Sequence, residues 1–129
     1  MATLMQRFGG QTYALLRIVS GFLYLWHGTG KLFGIPKASG AADWVIYIAG
    51  PIEFVGGTLI MLGLFTRYAA FVASGMAAAA YWVGHAPNGW HPLLNGGELA
   101  ALYCFVFLFI SAHGSGIWSF DGARARSGV

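Results

Sequence analysis

The sequence predicts an all-α integral membrane protein, a bundle of four transmembrane helices. Three observations carry that expectation. Hydrophobic residues make up 57% of the 129 residues and charged residues only 9%, where an ordinary soluble domain carries about 25% charged residues. Seven Lys and Arg with four Asp and Glu cannot coat a water-facing surface, whereas lipid accepts an apolar exterior. Four apolar stretches approach the length of about 20 residues that crosses the hydrocarbon core. Aromatics at 16% and 20 glycines complete the pattern, because Gly lets helix backbones approach and Trp and Tyr collect at bilayer interfaces.

The first span is expected over residues 11–33, with Gly34, Ile35 and Pro36 ending it. The second is expected over 42–65 and contains Gly50 and Pro51. Pro51 removes a backbone donor, so it should kink or loosen that helix. The third, over 67–84, is rich in Ala, and the fourth runs over 96–113 and stops at Gly114 and Gly116. A cleaved signal peptide is the competing reading of the first segment, with Arg7 before the run and Ala38-Ser39-Gly40 after it. Arg17, His27 and Lys31 inside the run argue against it. Little more than Thr66 separates spans two and three, which makes them antiparallel neighbours. The 85–95 connection holds Pro87, Asn88, Gly89, Trp90 and Pro92, an ordered turn with an interfacial anchor. No repeat or linker divides residues 1–129, so one domain is expected.

Four spans place both termini and the two–three connection on one side, with Arg7, Arg67, Arg124 and Arg126. Lys31 and Lys37 fall on the other side. The positive-inside rule then puts both termini in the cytoplasm of a multi-pass protein, with the 85–95 loop facing outward. The formal charge of +3 is topology information, not a nucleic-acid footprint, because no basic run exists. Cys104 is a lone cysteine in an apolar run, read as a small filler.

Ionisable groups within spans are costly, near ~3 kcal/mol at a helix centre, and so carry most of the functional information. Arg17, Tyr24, His27 and Lys31 are spaced by seven, three and four residues, which places them along one helical stripe. Snorkelling is the bland account of Arg17 and Lys31. Glu53 sits near the midplane two residues after Pro51 and should be protonated or paired, with Arg17, His27 and Lys31 as candidate partners. Arg67 opens the third span, and Tyr81 and His85 close its outer end. Glu98 lies in the first turn of the fourth span, where the helix dipole favours a carboxylate. An outer-facing polar pocket of His27, Lys31, His85, His91 and Glu98 is the sharper expectation. No HxxxH, HExxH or ExxH pair supports a metal, and a haem drawn between His27 and His85 or His113 has no specific support. Serine-triad, phosphate-loop and dinucleotide motifs are absent, so no catalytic residue is assigned.

The runs LRIVSGFLYLWHGTGKLFG (16–34), PIEFVGGTLIMLGLFTRYAA (51–70) and NGGELAALYCFVFLFISAHGSGIWSFD (95–121) resemble the DoxX family of small bacterial membrane proteins. The specific parts are His27 and Lys31, Glu53 before Gly56-Gly57, the LGLFTR turn ending at Arg67, and the NGGE start ending at Glu98. The resemblance implies a four-helix protein of the bacterial inner membrane. It also implies an association with redox enzymes, including thiosulfate:quinone oxidation, and His27, Lys31, Glu53, Arg67 and Glu98 as the family's polar positions. The function expected is a non-catalytic accessory subunit of a redox or respiratory assembly, in contact with lipid and with other membrane subunits. The alternatives are a quinone-binding component, with quinone as the one cofactor in view, and a small-solute or proton carrier centred on Glu53.

Overall fold

The computed structural model describes residues 2–37 and 42–128, and over these the chain is all-helical. The small-residue run Ala38-Ser39-Gly40, which bears on the signal-peptide reading, lies outside the described residues. A short helix α1 (Ala2–Gln6) leads into the long α2 (Gly9–Phe33). Then follow α3 (Asp43–Leu62) and α4 (Thr66–Ala79), the latter prolonged by a π-helical turn over Ala80–His85. A connector containing α5 (Pro92–Asn95) leads to α6 (Glu98–His113), and α7 (Phe120–Ser127) comes last. Helices pack in chain order: α2 on α3, α3 on α4, α4 on α6. Aromatic contacts close the ring, with the Tyr24 ring of α2 4.7 Å from Phe107 and 5.4 Å from Tyr103 of α6.

The α2–α3 contact is the most intimate, and glycine is its cause. A Cβ on Gly28 would lie 2.3 Å from the Phe54 backbone nitrogen, and one on Gly57 would lie 2.6 Å from that of Leu25. No side chain fits there, so the two backbones touch directly. This register sets Lys31, one turn beyond Gly28, against Gly50 and Glu53. α3 continues through Pro51 as helix, with the Pro lacking only its own donor. Gly34 (φ 67°) and Gly63 (φ 69°) adopt the left-handed conformation that stops α2 and α3.

The third apolar stretch does not remain α-helical to its end. From Ala80 the helix widens, and the Ala86 N–H donates to the Tyr81 carbonyl five residues back. The wider turn shifts the helix face by about one residue, which the apolar pattern does not disclose.

The core between the helices is small and tightly filled. Ile60, Ala70, Ala73, Phe107 and Ile110 have no accessible surface. The exterior is the reverse of a soluble protein's. Leu15, Val19, Phe22, Trp26, Val55, Tyr68, Phe71, Phe105 and Phe109 all point outward, a continuous apolar coat far beyond what a water-facing monomer shows. By length and composition, α3 alone among the described residues is long and apolar enough to cross a bilayer. α6 is apolar but has 16 residues, about 24 Å of helix. α2 has 25 residues but carries Arg17, His27 and Lys31.

Candidate functional site

The polar side chains divide between the two ends of the bundle. At the end that gathers the start of α2, the α3–α4 turn and the close of α6, Arg17, Arg67 and Asp121 hold main-chain groups. Arg17 is completely buried. Its guanidinium donates to the carbonyls of Ile60 and Met61 (both 2.8 Å), Ile117 (3.2 Å) and Trp118 (2.7 Å). It thereby caps α3, whose last carbonyls lack helical partners, and ties that cap to the segment after α6. Arg67 does the same for α6, donating to Ser111 (2.9 Å), Ala112 (2.5 Å) and His113 (3.2 Å). The Tyr13 hydroxyl donates to the Gly114 carbonyl.

Asp121 closes this end. Its carboxylate accepts from the backbone N–H of Phe65 (3.0 Å) and Thr66 (2.9 Å) and from the Thr66 hydroxyl (2.8 Å). Those are the free donors at the start of α4, so Asp121 is a helix cap supplied from 55 residues away. Partial burial would raise its pKa. The Thr66 and Phe65 hydrogen bonds, helped by Arg124, outweigh that and hold the carboxyl below its ordinary value. Phe65 (φ 48°) and Trp118 (φ 53°) sit in left-handed backbone conformations that non-glycine residues rarely take. The Asp121 and Arg17 bonds fall on these two residues and hold them there.

The opposite end contains a cavity of about 190 Å³ between α2, α4 and α6, with Tyr24, His27, Lys31, Glu53, His85 and Tyr103 among its walls. Lys31 Nζ lies 2.5 Å from Glu53 Oε2, and the Glu53 side chain is 7% accessible against 17% for Lys31. Of the partners considered for Glu53, Lys31 is the one in contact. Ala77, Ala80, Leu99 and Ala100 supply the apolar wall. His27 is exposed while still lining the cavity, which places it at the rim, and its ring meets Tyr103 edge-on at 5.9 Å. His85 is set by the π-helical turn, and its Nδ1 lies 3.2 Å from the Asn95 carbonyl. With Nδ1 protonated for that bond, Nε2 is an acceptor.

Asn95 organises this end. Its amide donates to the Gly89 carbonyl (2.8 Å) and the Tyr81 hydroxyl (3.4 Å), and its Oδ1 accepts from the Gly97 N–H (2.7 Å). A second hollow of about 360 Å³, between α3 and the α4 extension, shares Lys31, Glu53, Ala80 and His85 with the first.

The sequence-derived candidates therefore separate. Tyr24, His27, Lys31, Glu53 and His85 come together around the cavity. Arg17 and Arg67 lie at the other end as caps. The stripe of α2 is thus one face serving two sites. Glu98 is exposed at the first turn of α6 and is absent from the cavity wall, because α6 presents Leu99, Ala100 and Tyr103 to it. Tyr81 packs its ring on Gly97 and braces the connector. His91 stacks edge-on with Trp90 at 5.2 Å, outside the cavity. His113 packs on Tyr13 at 4.0 Å, the whole bundle away from His27, which removes it as a haem partner. Among the described residues, no three His, Cys, Asp or Glu side chains gather as a metal site. Tyr103, Asn95 and Asp121 carry roles that the sequence reading did not single out. A Tyr in the middle of the apolar run 99–110 was the available sign for the first, since its hydroxyl calls for a polar surrounding.

Comparison with known proteins adds the ancestry. The chain is 42% identical over 116 residues to an uncharacterized protein of Haemophilus influenzae, covering 84% of this chain and 87% of that one. It is 32% identical over 59 residues to the "Putative oxidoreductase CatD" of Bacillus subtilis, covering 41% of this chain and 44% of that protein. No solved structure matches. The DoxX family profile matches residues 12–86, from the first turn of α2 past the π-helical turn, and so includes every cavity residue except Gly96 and those of α6. On that match and the first of these relatives, the chain belongs to the DoxX family of membrane proteins.

Proposed function

We propose that the protein is a four-span subunit of a redox assembly in the bacterial inner membrane, and that its cavity binds a quinone ring. The observation that carries this reading is the composition of the cavity. A quinone ring needs hydrogen-bond donors for its two carbonyl oxygens and a flat apolar wall. Lys31 Nζ, the Tyr103 hydroxyl and the His27 ring are the donors within the walls, the Tyr24 hydroxyl being turned to the Ala73 carbonyl (3.4 Å), and Leu99, Ala77 and Ala100 are apolar. About 190 Å³ accommodates one substituted ring and little more. The residues present therefore fit the group.

In this reading the chain binds and orients. The quinone supplies electron-accepting chemistry when bound, and the electrons come from a partner subunit. Lys31, held by Glu53, would donate to a ring oxygen, and the Tyr103 ring in the cavity wall would pack against the quinone ring. The name of the Bacillus subtilis relative is in keeping with a redox role.

The membrane arrangement is part of the proposal. α2, α3, α4 with its extension, and α6 each cross the bilayer. The apolar coat supports this, as does the inward turn of Arg17, Tyr24 and Glu53, which lets charged helices present lipid-compatible faces. The termini are then cytoplasmic and the cavity opens near the outer leaflet.

The test is a titration of a methoxylated benzoquinone without side chain into the detergent-purified protein, read by calorimetry. Saturable binding to wild type is expected. Replacing the ion pair by an amide pair, Lys31→Gln with Glu53→Gln, is expected to weaken binding about tenfold or more, the loss of one charge-assisted hydrogen bond. Absence of binding to the wild type overturns the reading.

A further inference from the structure

The cavity and the neighbouring hollow share four wall residues, Lys31, Glu53, Ala80 and His85. They are thus two compartments meeting at the ion pair. The second compartment is the larger, at about 360 Å³. Its walls beyond the shared residues are apolar: Val45 and Ala49 from α3, and Met76, Ala79 and Val83 from α4 and its extension. Val83 is 55% accessible and Trp44, on its rim, 50%, so this compartment is a groove on the outer surface of the bundle between α3 and α4. The two compartments differ in chemistry. The first gathers the hydroxyls and imidazoles, and the second holds none of them beyond the shared His85.

We propose that the α3–α4 groove is the tail subsite for the ligand of the cavity, which is therefore an amphiphile with a polar ring and a long apolar chain, entering sideways from the bilayer. This rests on the ring-binding reading above. Continuity at Lys31–Glu53 is what commits the groove to the same ligand rather than to an independent one. A ring in the first compartment can pass its substituent beyond the ion pair and between Ala49 and Ala79 into the hydrocarbon. The π-helical turn belongs to this design. It sets Ala80 and His85 on the boundary between compartments, and Gly84 beside them adds no side chain to the groove wall. Small residues along the floor leave room for a flexible chain. A lipid tail and a protein groove are about equally apolar, so the groove adds little affinity of its own. Its role is access. Blocking it prevents a tailed ligand from seating its ring.

The test compares two probes, the methoxylated benzoquinone without a side chain and the same ring bearing a decyl chain. Each is titrated into wild type, Ala79→Trp and Val45→Trp. Ala79 and Val45 face each other across the groove and do not line the ring cavity. Ala79 is also exposed, so its enlargement leaves the core intact, and a thermal melt of each variant checks folding. The expected result is selective loss: the decyl probe binds about tenfold or more weakly to both variants, while the tailless probe binds each variant as it binds wild type. If both probes keep wild-type affinity in the folded variants, the groove is filled by bilayer lipid only and the tail subsite is overturned. A variant that does not fold is set aside, and the other decides. If the wild type binds neither probe, the ring-binding reading itself fails, which separates the two outcomes.

Discussion

The two ends of this bundle use similar residues to opposite purposes. At one end Arg17, Arg67, Tyr13 and Asp121 bond to the main chain, with the Thr66 hydroxyl the one side chain among their partners described above, and close the helix termini at Ile60, Met61, Ala112 and Thr66. At the other end Lys31 and Glu53 hold each other, and their neighbours Tyr24, His27, His85 and Tyr103 surround open space. A charge satisfied by backbone carbonyls is locked, because moving it uncovers a helix end. A charge satisfied by another side chain beside a cavity can take a new partner. That difference is the physical basis for placing stability at the first end and binding at the second.

Substitutions separate the two roles, and the largest effect is expected at Arg17. Arg17→Met removes a buried cation that serves four carbonyls and should cost about 3 kcal/mol or more. It will be seen as a large drop in the detergent melting midpoint or in folded yield. Arg17→Lys should recover little, since one ammonium cannot reproduce the fork. A wild-type melt for Arg17→Met would remove the structural half of the comparison. Next is Gly28→Val. Its Cβ would meet the α3 backbone at 2.3 Å, and overpacking of this kind costs about 1–3 kcal/mol. Because Gly28 fixes the register that brings Lys31 to Glu53, this change should also weaken ring binding, unlike changes at the capped end.

Asp121→Asn comes third, at about 1 kcal/mol for a weakened cap. Its sign with pH follows from the depressed pKa of the carboxylate. The unfolded chain takes up the proton first on acidification. The stabilisation is thus complete above the ordinary Asp value of about 3.9 and is lost as pH falls through the lower folded value. Wild type should lose melting temperature over that acidic window, and Asp121→Asn should lose less. Parallel curves for the two would show that the cap contributes nothing. The smallest stability effect is expected for the paired change Lys31→Gln with Glu53→Gln, because exchanging both members of a buried pair is close to neutral.

The sequence and the structure agree on different things at the two ends. The helices follow from apolar runs, two of them stopped by Gly34 and Gly114 as the sequence displays, whereas Gly63, which stops α3 at Leu62, lies inside the span expected over 42–65. The Lys31–Glu53 contact was within reach of sequence reasoning, because helical spacing leaves few partners for a carboxylate placed two residues after Pro51. The caps were not. The acceptors of Arg17 are carbonyls, which every residue has, so nothing in the sequence distinguishes Ile60 or Trp118 as a partner. Asp121 likewise meets the backbone of Phe65 and Thr66 only after the chain has turned back beyond α6. The π-helical turn was invisible for a related reason: a widened turn keeps the same residue types and changes only which of them face inward. Glu98 illustrates the converse. Its chemistry suited the cavity, but the rotation of α6 decides the matter, and Leu99 and Tyr103 took the inward positions.

The comparison is tested most directly by crossing the two ends in one binding measurement. The tailless methoxylated benzoquinone is titrated into wild type, Asp121→Asn and the paired Lys31→Gln/Glu53→Gln protein, and each is also melted. Asp121→Asn is predicted to melt lower and to bind within about twofold of wild type. The paired variant is predicted to melt close to wild type and to bind about tenfold or more weakly. Equal weakening of binding in both variants, or unchanged binding in the paired variant, would contradict the assignment of binding to the Lys31–Glu53 end.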